Sequence, residues 1–199
     1  NEISHQKMKV ELAVDGDEVN IHRVNDRGHS ELGFRQVNED QNQFLIEKCL
    51  HFIERNNINK VLDLYCGQGN WSHAIHKRYP ELKVLGIESH PTSVEKARTN
   101  SQPGLEFIHG KVEEELANIN EKYDLVIIDP PRSGCDPGVL EMIDRKQPQW
   151  LIYISCHPAT LARDLFRLQS NSWSIKEIQP VDMFPQTAHL ECWTLLHSP

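Results

Sequence analysis

Apolar residues along the chain change their period twice. In residues 9–24 they alternate: Val10, Leu12 and Val14, then Val19 and Ile21 after an Asp15-Gly16 turn. Period two on both sides of a turn dipeptide predicts a two-stranded ribbon. A polar turn, Asn25-Asp26-Arg27-Gly28, follows. The ribbon has too few apolar residues to be a domain and must lean on something else. From Asn38 the spacing turns helical, with Phe44, Leu45, Cys49, Phe52 and Ile53 sharing a face and Asn38 and Gln41 spaced as a cap. Beyond it, apolar runs alternate with amphipathic segments. The runs are 60–65, 83–87, 105–108, 125–128, 150–154 and 190–196; the helices fall near 71–78, 91–100 and 158–169, two of them opened by Pro91 and Pro158. Continuous β-branched runs mark strands buried on both faces, so the expected fold is α/β, a doubly wound, mostly parallel sheet with helices on either side. Beyond a proline-rich bend at Pro180 and Pro185, the last stretch is expected to finish that sheet.

Composition narrows the class. With 199 residues, 38% hydrophobic and 25% charged, the chain is long enough for one domain with a core and a small appendage. No stretch reaches the roughly 20 apolar residues of a membrane span, and no apolar segment of the secretory type follows the N-terminus, so the expected location is cytoplasmic. The first residue is Asn1 rather than Met, as in an excised piece or a processed chain. Five cysteines (Cys49, Cys66, Cys135, Cys156, Cys192) form no CxxC pair and read as reduced thiols, not as a disulfide frame or a metal site. A formal charge of −8 excludes gripping nucleic acid by bulk charge, leaving a local basic patch or a further part of the protein to do so.

In doubly wound sheets, ligands bind beyond the carboxyl ends of the strands, and three predicted strands end in chemically loaded turns. The first is Asp63-Leu64-Tyr65-Cys66-Gly67-Gln68-Gly69-Asn70. Gly67 and Gly69 would let backbone approach a ligand and lead into a helix with free amides, though a glycine pair also suits any tight strand-to-helix turn. The next strand ends at Glu88, where a carboxylate can accept from both hydroxyls of an adenosine ribose. The turn lacks GxGxxG, because Trp71-Ser72 follow where a third glycine would stand. The second turn is Asp129-Pro130-Pro131-Arg132-Ser133-Gly134, whose prolines stiffen the exit and hold the Asp129 carboxylate beside the crevice. The third is Ser155-Cys156-His157-Pro158, with Cys156 at a strand tip before a helix N-terminus that favours thiolate, and a protonated His157 able to add to that effect. Cys49 and Cys192 read as packing residues. Arg132, Arg163 and Arg167 stand where they could meet phosphates or simply be solvated.

Asp63-x-x-x-Gly-x-Gly resembles motif I of class I S-adenosylmethionine (SAM) methyltransferases. Together with Phe34-Arg35-Gln36-Val37-Asn38, Asp129 to Gly134, Ser155-Cys156-His157-Pro158-Ala159-Thr160-Leu161-Ala162-Arg163-Asp164 and Asp182-Met183-Phe184-Pro185-Gln186-Thr187-Ala188-His189-Leu190-Glu191, it resembles the RNA uracil-5-methyltransferases. The motifs run in family order, and the last two are most similar to the bacterial large-subunit rRNA members. The resemblance implies a seven-stranded Rossmann-like methyltransferase sheet, SAM as cofactor and RNA as substrate, rRNA ahead of tRNA. It implies Cys156 as nucleophile and Glu191 as general base, with Gln36, Tyr65, Asn70, Glu88 and Asp129 contacting SAM beside Gly67 and Gly69. Phe34 matches an aromatic near the target base, or packs in the core. Arg132 is a candidate substrate contact. Residues 33–199 would be the catalytic domain and 1–32 the tail of an RNA-contacting region, in a chain expected to be a monomer. No metal is expected here; an iron–sulfur cluster of the kind some relatives carry would lie upstream. Two positions depart from the family: His157 stands where Asn is usual, and Lys111 occupies a cofactor-contact position.

The chemistry implied needs two groups on one side of the crevice. Carbon 5 of uracil is too weak a nucleophile unaided. A Cys156 thiolate adding to carbon 6 makes it an enolate, and a Glu191 carboxylate then removes the hydrogen left on carbon 5. Three rival readings remain open: a tRNA uracil-5-methyltransferase, an amino-group methyltransferase using the Asp129 turn without a nucleophile, and a binding fragment lacking its recognition parts.

Overall fold

The computed structural model describes residues 9–15, 18–24, 39–182 and 190–198. The chain divides into two units, Asn1–Arg35 and Gln36–Pro199. In the first, β1 (Lys9–Asp15) and β2 (Glu18–Val24) pair antiparallel, Lys9 opposite Val24 and Asp15 opposite Glu18, as the alternation predicts.

The second unit alternates strand and helix: α1 (Glu39–Arg55), β3 (Lys60–Leu64), α2 (Asn70–Arg78), β4 (Lys83–Glu88), α3 (Pro91–Thr99), β5 (Leu105–His109), α4 (Val112–Asn118), β6 (Leu125–Ile128), α5 (Pro137–Lys146), β7 (Trp150–Ser155), α6 (Pro158–Ser170), β8 (Ser174–Val181) and β9 (Glu191–His197). The strands form a seven-stranded sheet in the order β5-β4-β3-β6-β7-β9-β8. β3 to β7 run parallel, whereas β9 is antiparallel to both β7 and β8. From β3 the chain winds outward through β4 and β5, then returns to β6 on the other side of β3. The carboxyl ends of β3 and β6 therefore flank the switch point, where a crevice opens.

Alternation along each strand builds two cores. Val61, Val84, Leu125, Ile127, Ile152, Ile154 and Trp193 face α1, α2 and α3. Leu62, Leu64, Val126, Ile128, Leu151, Tyr153 and Leu196 face α4, α5 and α6. Burial of such side chains, each contributing about 1.5–3 kcal/mol, fixes the strand ends that carry the candidate chemistry.

Four details correct the sequence reading. α4 and α5 escape it, the first because it is only seven residues long, the second because its Pro137-Gly138 start reads as turn. Pro180 does not bend the chain out of the sheet: it lies within β8 opposite Cys192, on an edge strand where a missing N–H is tolerated. Phe44 does not join its expected face; it is 49% exposed, and Ile46 and Leu50 take the buried stripe with Leu45, Cys49 and Ile53. The capping Asn38 and residues 183–189 lie outside the described residues. Among the described residues no helix is long and apolar enough to cross a membrane.

Candidate active site

The turn after β3 is left-handed three times over, at Tyr65 (φ 63°), Gly67 (φ 57°) and Gly69 (φ 85°). Such a φ is costly for a bulky residue like Tyr65 and marks stored strain at the crevice. A Cβ on Gly67 would meet nothing within 4 Å, so the space beside it is open. One on Gly69 would lie 2.7 Å from His73 Cδ2 and 2.9 Å from Phe107 Cζ, so any larger residue forces those rings to move. Gly69 caps α2, its carbonyl accepting the His73 N–H at 2.8 Å.

Polar side chains brace this turn. Glu88, at the end of β4, accepts the Gly67 N–H at 3.0 Å through Oε2, and the His90 N–H (2.7 Å) and Ser89 hydroxyl (3.2 Å) through Oε1. It is thus a brace for the glycine turn as well as a candidate ribose acceptor, with lone-pair capacity left over. Asn70 exchanges two hydrogen bonds with Asn42 of α1, at 2.9 and 3.2 Å. Asp63 is fully buried; its Oδ2 accepts the Ser72 hydroxyl (2.5 Å) and N–H (3.2 Å), while Oδ1 has no partner. Burial pushes its carboxyl up to about 7 against the pull of Ser72. The Tyr65 hydroxyl sits 3.8 Å from Cys135 Sγ, and burial raises its phenol.

The second cluster forms where β7 meets β9. Their last antiparallel pair is Ser155 with Cys192. Cys156 follows directly after β7 and Glu191 opens β9, near enough for the Glu191 charge to act on the Cys156 thiol. Cys156 is half-buried, whereas Cys49, Cys66, Cys135 and Cys192 are buried. Burial raises the Cys156 thiol, the Glu191 and Asp129 charges add to the rise, and Arg132 opposes it. Glu191 is 5% exposed; burial, with Asp129 beside it, pushes its carboxyl up to about 8, again opposed by Arg132. Asp129 is itself pushed up to about 7 by burial. The Trp71 indole, whose N–H forms no hydrogen bond of normal geometry, tempers that rise. Arg132 is thus the cation within reach of both the candidate nucleophile and the candidate base.

The thiolate expectation needs correcting. Burial, with the Glu191 charge, raises the Cys156 thiol, the opposite direction to the one expected at a helix start. His157 is the N-cap of α6, its Nδ1 accepting the Thr160 N–H at 3.4 Å. Asn is a favoured N-cap, so His157 does here what Asn would do. Arg163 and Arg167 are not simply solvated, since both pair with the buried Asp164, at 2.9 and 3.6 Å. Phe34 and Gln36 lie outside the described residues. Asn42, Tyr153 and Asp164 went unassigned in the sequence. Asp164 left a trace, as a lone carboxylate in the apolar stripe Leu161, Leu165, Leu168. Among the described residues no cluster of three or more His, Cys, Asp or Glu is disposed to hold a metal.

A seven-stranded sheet with a glycine turn at its switch point and acidic residues on the neighbouring strand ends is a methyltransferase domain, and the family model of that description matches residues 61–137. A second model, tRNA (Uracil-5-)-methyltransferase, matches residues 110–198. The chain is 42% identical over 168 residues to an uncharacterized RNA methyltransferase of Thermosynechococcus vestitus, covering 82% of this chain and 37% of that protein. It is 36% identical over 171 residues to the 23S rRNA (uracil(1939)-C(5))-methyltransferase of Shewanella denitrificans, covering 81% and 36%. The crystal structure of Pyrococcus abyssi tRNA (uracil-54, C5)-methyltransferase with S-adenosyl-L-homocysteine superposes with a TM-score of 0.70 at 30% identity, over 94% of this chain and 44% of that one. The chain belongs to the RNA uracil-5-methyltransferase family. It spans little more than a third of the length of the curated relatives it matches.

Proposed function

We propose that the chain methylates carbon 5 of a uridine in RNA, using SAM, through a transient bond between Cys156 and the uracil ring. The observation that carries this reading is the closeness of Cys156, just past the end of β7, to Glu191 at the start of β9, with Arg132 and Asp129 acting on both. The donor site is supported by the open space at Gly67, the braced Glu88 carboxylate and the partnerless buried Asp63 oxygen. When bound, SAM supplies an electrophilic methyl on a sulfonium; Gly67, Gly69, Glu88, Asp129, Tyr65 and Asn70 would hold it.

The chain's own residues do the rest. The half-buried Cys156 thiol gives its proton to water at the crevice mouth, and Sγ adds to carbon 6, moving charge onto the carbon 4 oxygen and making carbon 5 nucleophilic. Arg132 favours this step, because its charge draws Cys156 toward thiolate. After carbon 5 gains the methyl group, Glu191 in its ionised form, having first shed the proton that burial makes it hold, removes the hydrogen still bonded there; the carbon–sulfur bond breaks and Cys156 leaves as thiolate. A stacked uracil cannot reach Cys156, so the target is unpaired or flipped out.

In this reading residues 33–199 are the catalytic domain, 1–32 the tail of an RNA-contacting region, and the chain works as a monomer in the cytoplasm. The substrate is large-subunit rRNA in preference to tRNA, supported by the likeness to the Shewanella protein. The test supplies the chain with methyl-labelled SAM and either 23S rRNA or tRNA, followed by nucleoside analysis. Labelled 5-methyluridine, more from rRNA and none with Cys156→Ala, is expected. Label on an exocyclic amine, or methylation surviving in Cys156→Ala, would overturn the reading.

A further inference from the structure

Asp164 is the most heavily partnered buried carboxylate among the described side chains, and the proposed chemistry makes no use of it. It has no solvent exposure. Oδ2 accepts the Tyr153 hydroxyl at 2.7 Å and the Cys135 N–H at 2.9 Å, and Oδ1 accepts Arg163 Nε at 2.9 Å and pairs with Arg167 at 3.6 Å. These partners belong to three different segments: the core strand β7, the helix α6, and the loop that follows Arg132.

Every other contact of that loop with α6 points the same way. Arg163 Nη2 donates to the Ser133 carbonyl at 3.0 Å and lies 3.5 Å from that of Cys135. The Thr160 hydroxyl donates to the Arg132 carbonyl at 3.3 Å. Gly134 takes a left-handed turn (φ 82°), its N–H bonded to the Pro131 carbonyl at 2.8 Å, and a Cβ added to it would lie 2.7 Å from Asp164 Oδ2. The loop is therefore fastened at the Arg132 carbonyl and at Ser133 and Cys135 beyond it, while the exposed Arg132 side chain lies close enough to hydrogen-bond Cys156 and to act on Glu191 by its charge. A long, exposed arginine acts on two neighbours only if its backbone is held in place.

We propose that Asp164 is a positioning residue: its buried carboxylate locks the Arg132-bearing loop to the helix that follows Cys156, and so keeps the Arg132 guanidinium beside the nucleophile and the base. The proposal rests on the assignment of Cys156 and Glu191, but its test requires neither RNA nor SAM, so the two can fail separately.

The readout is the pH dependence of iodoacetamide alkylation of Cys156 in the full chain, followed by mass spectrometry of its peptide. Cys156 is the one cysteine of the five that is not buried, which makes its labelling separable from the rest. Arg132→Gln should move the midpoint of the rate profile upward, by about half a pH unit or more for a cation removed from near contact. Asp164→Asn should move it the same way, because Asn cannot hold two guanidinium groups. Tyr153→Phe, which removes the hydroxyl that donates to Asp164 and accepts the Cys135 N–H at 3.3 Å while leaving the carboxylate in place, should do so by less. Asp144→Asn is the control: Asp144 is another anchoring carboxylate, holding the Trp173 indole N–H at 2.9 Å and the Asn171 amide at 3.1 Å, but it does not touch the loop. It should leave the midpoint where it was even if it lowers stability. A folded Asp164→Asn protein with an unshifted midpoint overturns the proposal. Should that variant not fold, an unshifted Tyr153→Phe profile alongside a shifted Arg132→Gln profile overturns it equally.

Discussion

Glu191→Gln should make the protein more stable than the unaltered chain near pH 8 and leave the two alike near pH 5. Burial and the neighbouring Asp129 raise the Glu191 carboxyl from 4.5 to about 8. A carboxyl raised in this way keeps its proton when folded at a pH where the unfolded chain has released it. Its stabilising contribution is therefore complete below the unfolded value and is lost as pH climbs toward the folded one. At about 1.4 kcal/mol per pH unit, the interval carries up to roughly 5 kcal/mol. Asp129 shares the site, and relief of its repulsion when either group stays protonated absorbs part of that figure, as does water at the crevice mouth. A difference of about 2 kcal/mol or more near pH 8 remains expected. Gln is nearly isosteric and never ionises, so its curve should lack this slope. Urea unfolding followed by tryptophan fluorescence, repeated from about pH 5 to about pH 8, reads the difference directly. Parallel stability curves for the two proteins would refute the reasoning, since they would mean that Glu191 is solvated in the folded chain.

Other substitutions have equally definite outcomes. Gly69→Ala places a Cβ on a left-handed residue and within 2.7 Å of His73, so unfolding free energy should drop by about 2–4 kcal/mol, with SAM affinity falling too in calorimetry. His157→Asn should keep the α6 cap and match the unaltered chain in thermal unfolding, whereas His157→Ala should lose about 1 kcal/mol.

The sheet was legible because the parallel strands are short, mostly apolar runs separated by amphipathic segments, fully so in β6 and broken only by single residues such as Asp63 in β3 and Glu106 in β5. The proposed pair Cys156 and Glu191 came from motif wording, but the reason the two come near each other was not legible. That reason is the reversal of β9 against β7, a long-range pairing that no local pattern encodes. Burial misled the reading of Cys156, since a sequence shows a helix start but not the desolvation that overrides it. Glu88 and His157 were judged by what a free side chain could offer, while folding has already committed both to backbone N–H groups. Asp164 was visible only as an oddity in an apolar stripe. Its partners lie in three segments that come together on folding.

The central claim is that Cys156 bonds to the uracil ring and that Glu191 is needed to release it. It is tested most directly by mixing the Glu191→Gln chain with RNA and SAM and resolving the products on a denaturing gel. The account predicts a protein–RNA band that survives denaturation, maps to Cys156 and disappears when Cys156→Ala is added to the same chain. RNA that binds and is methylated without any such band, or a band that persists in the double variant, would contradict it.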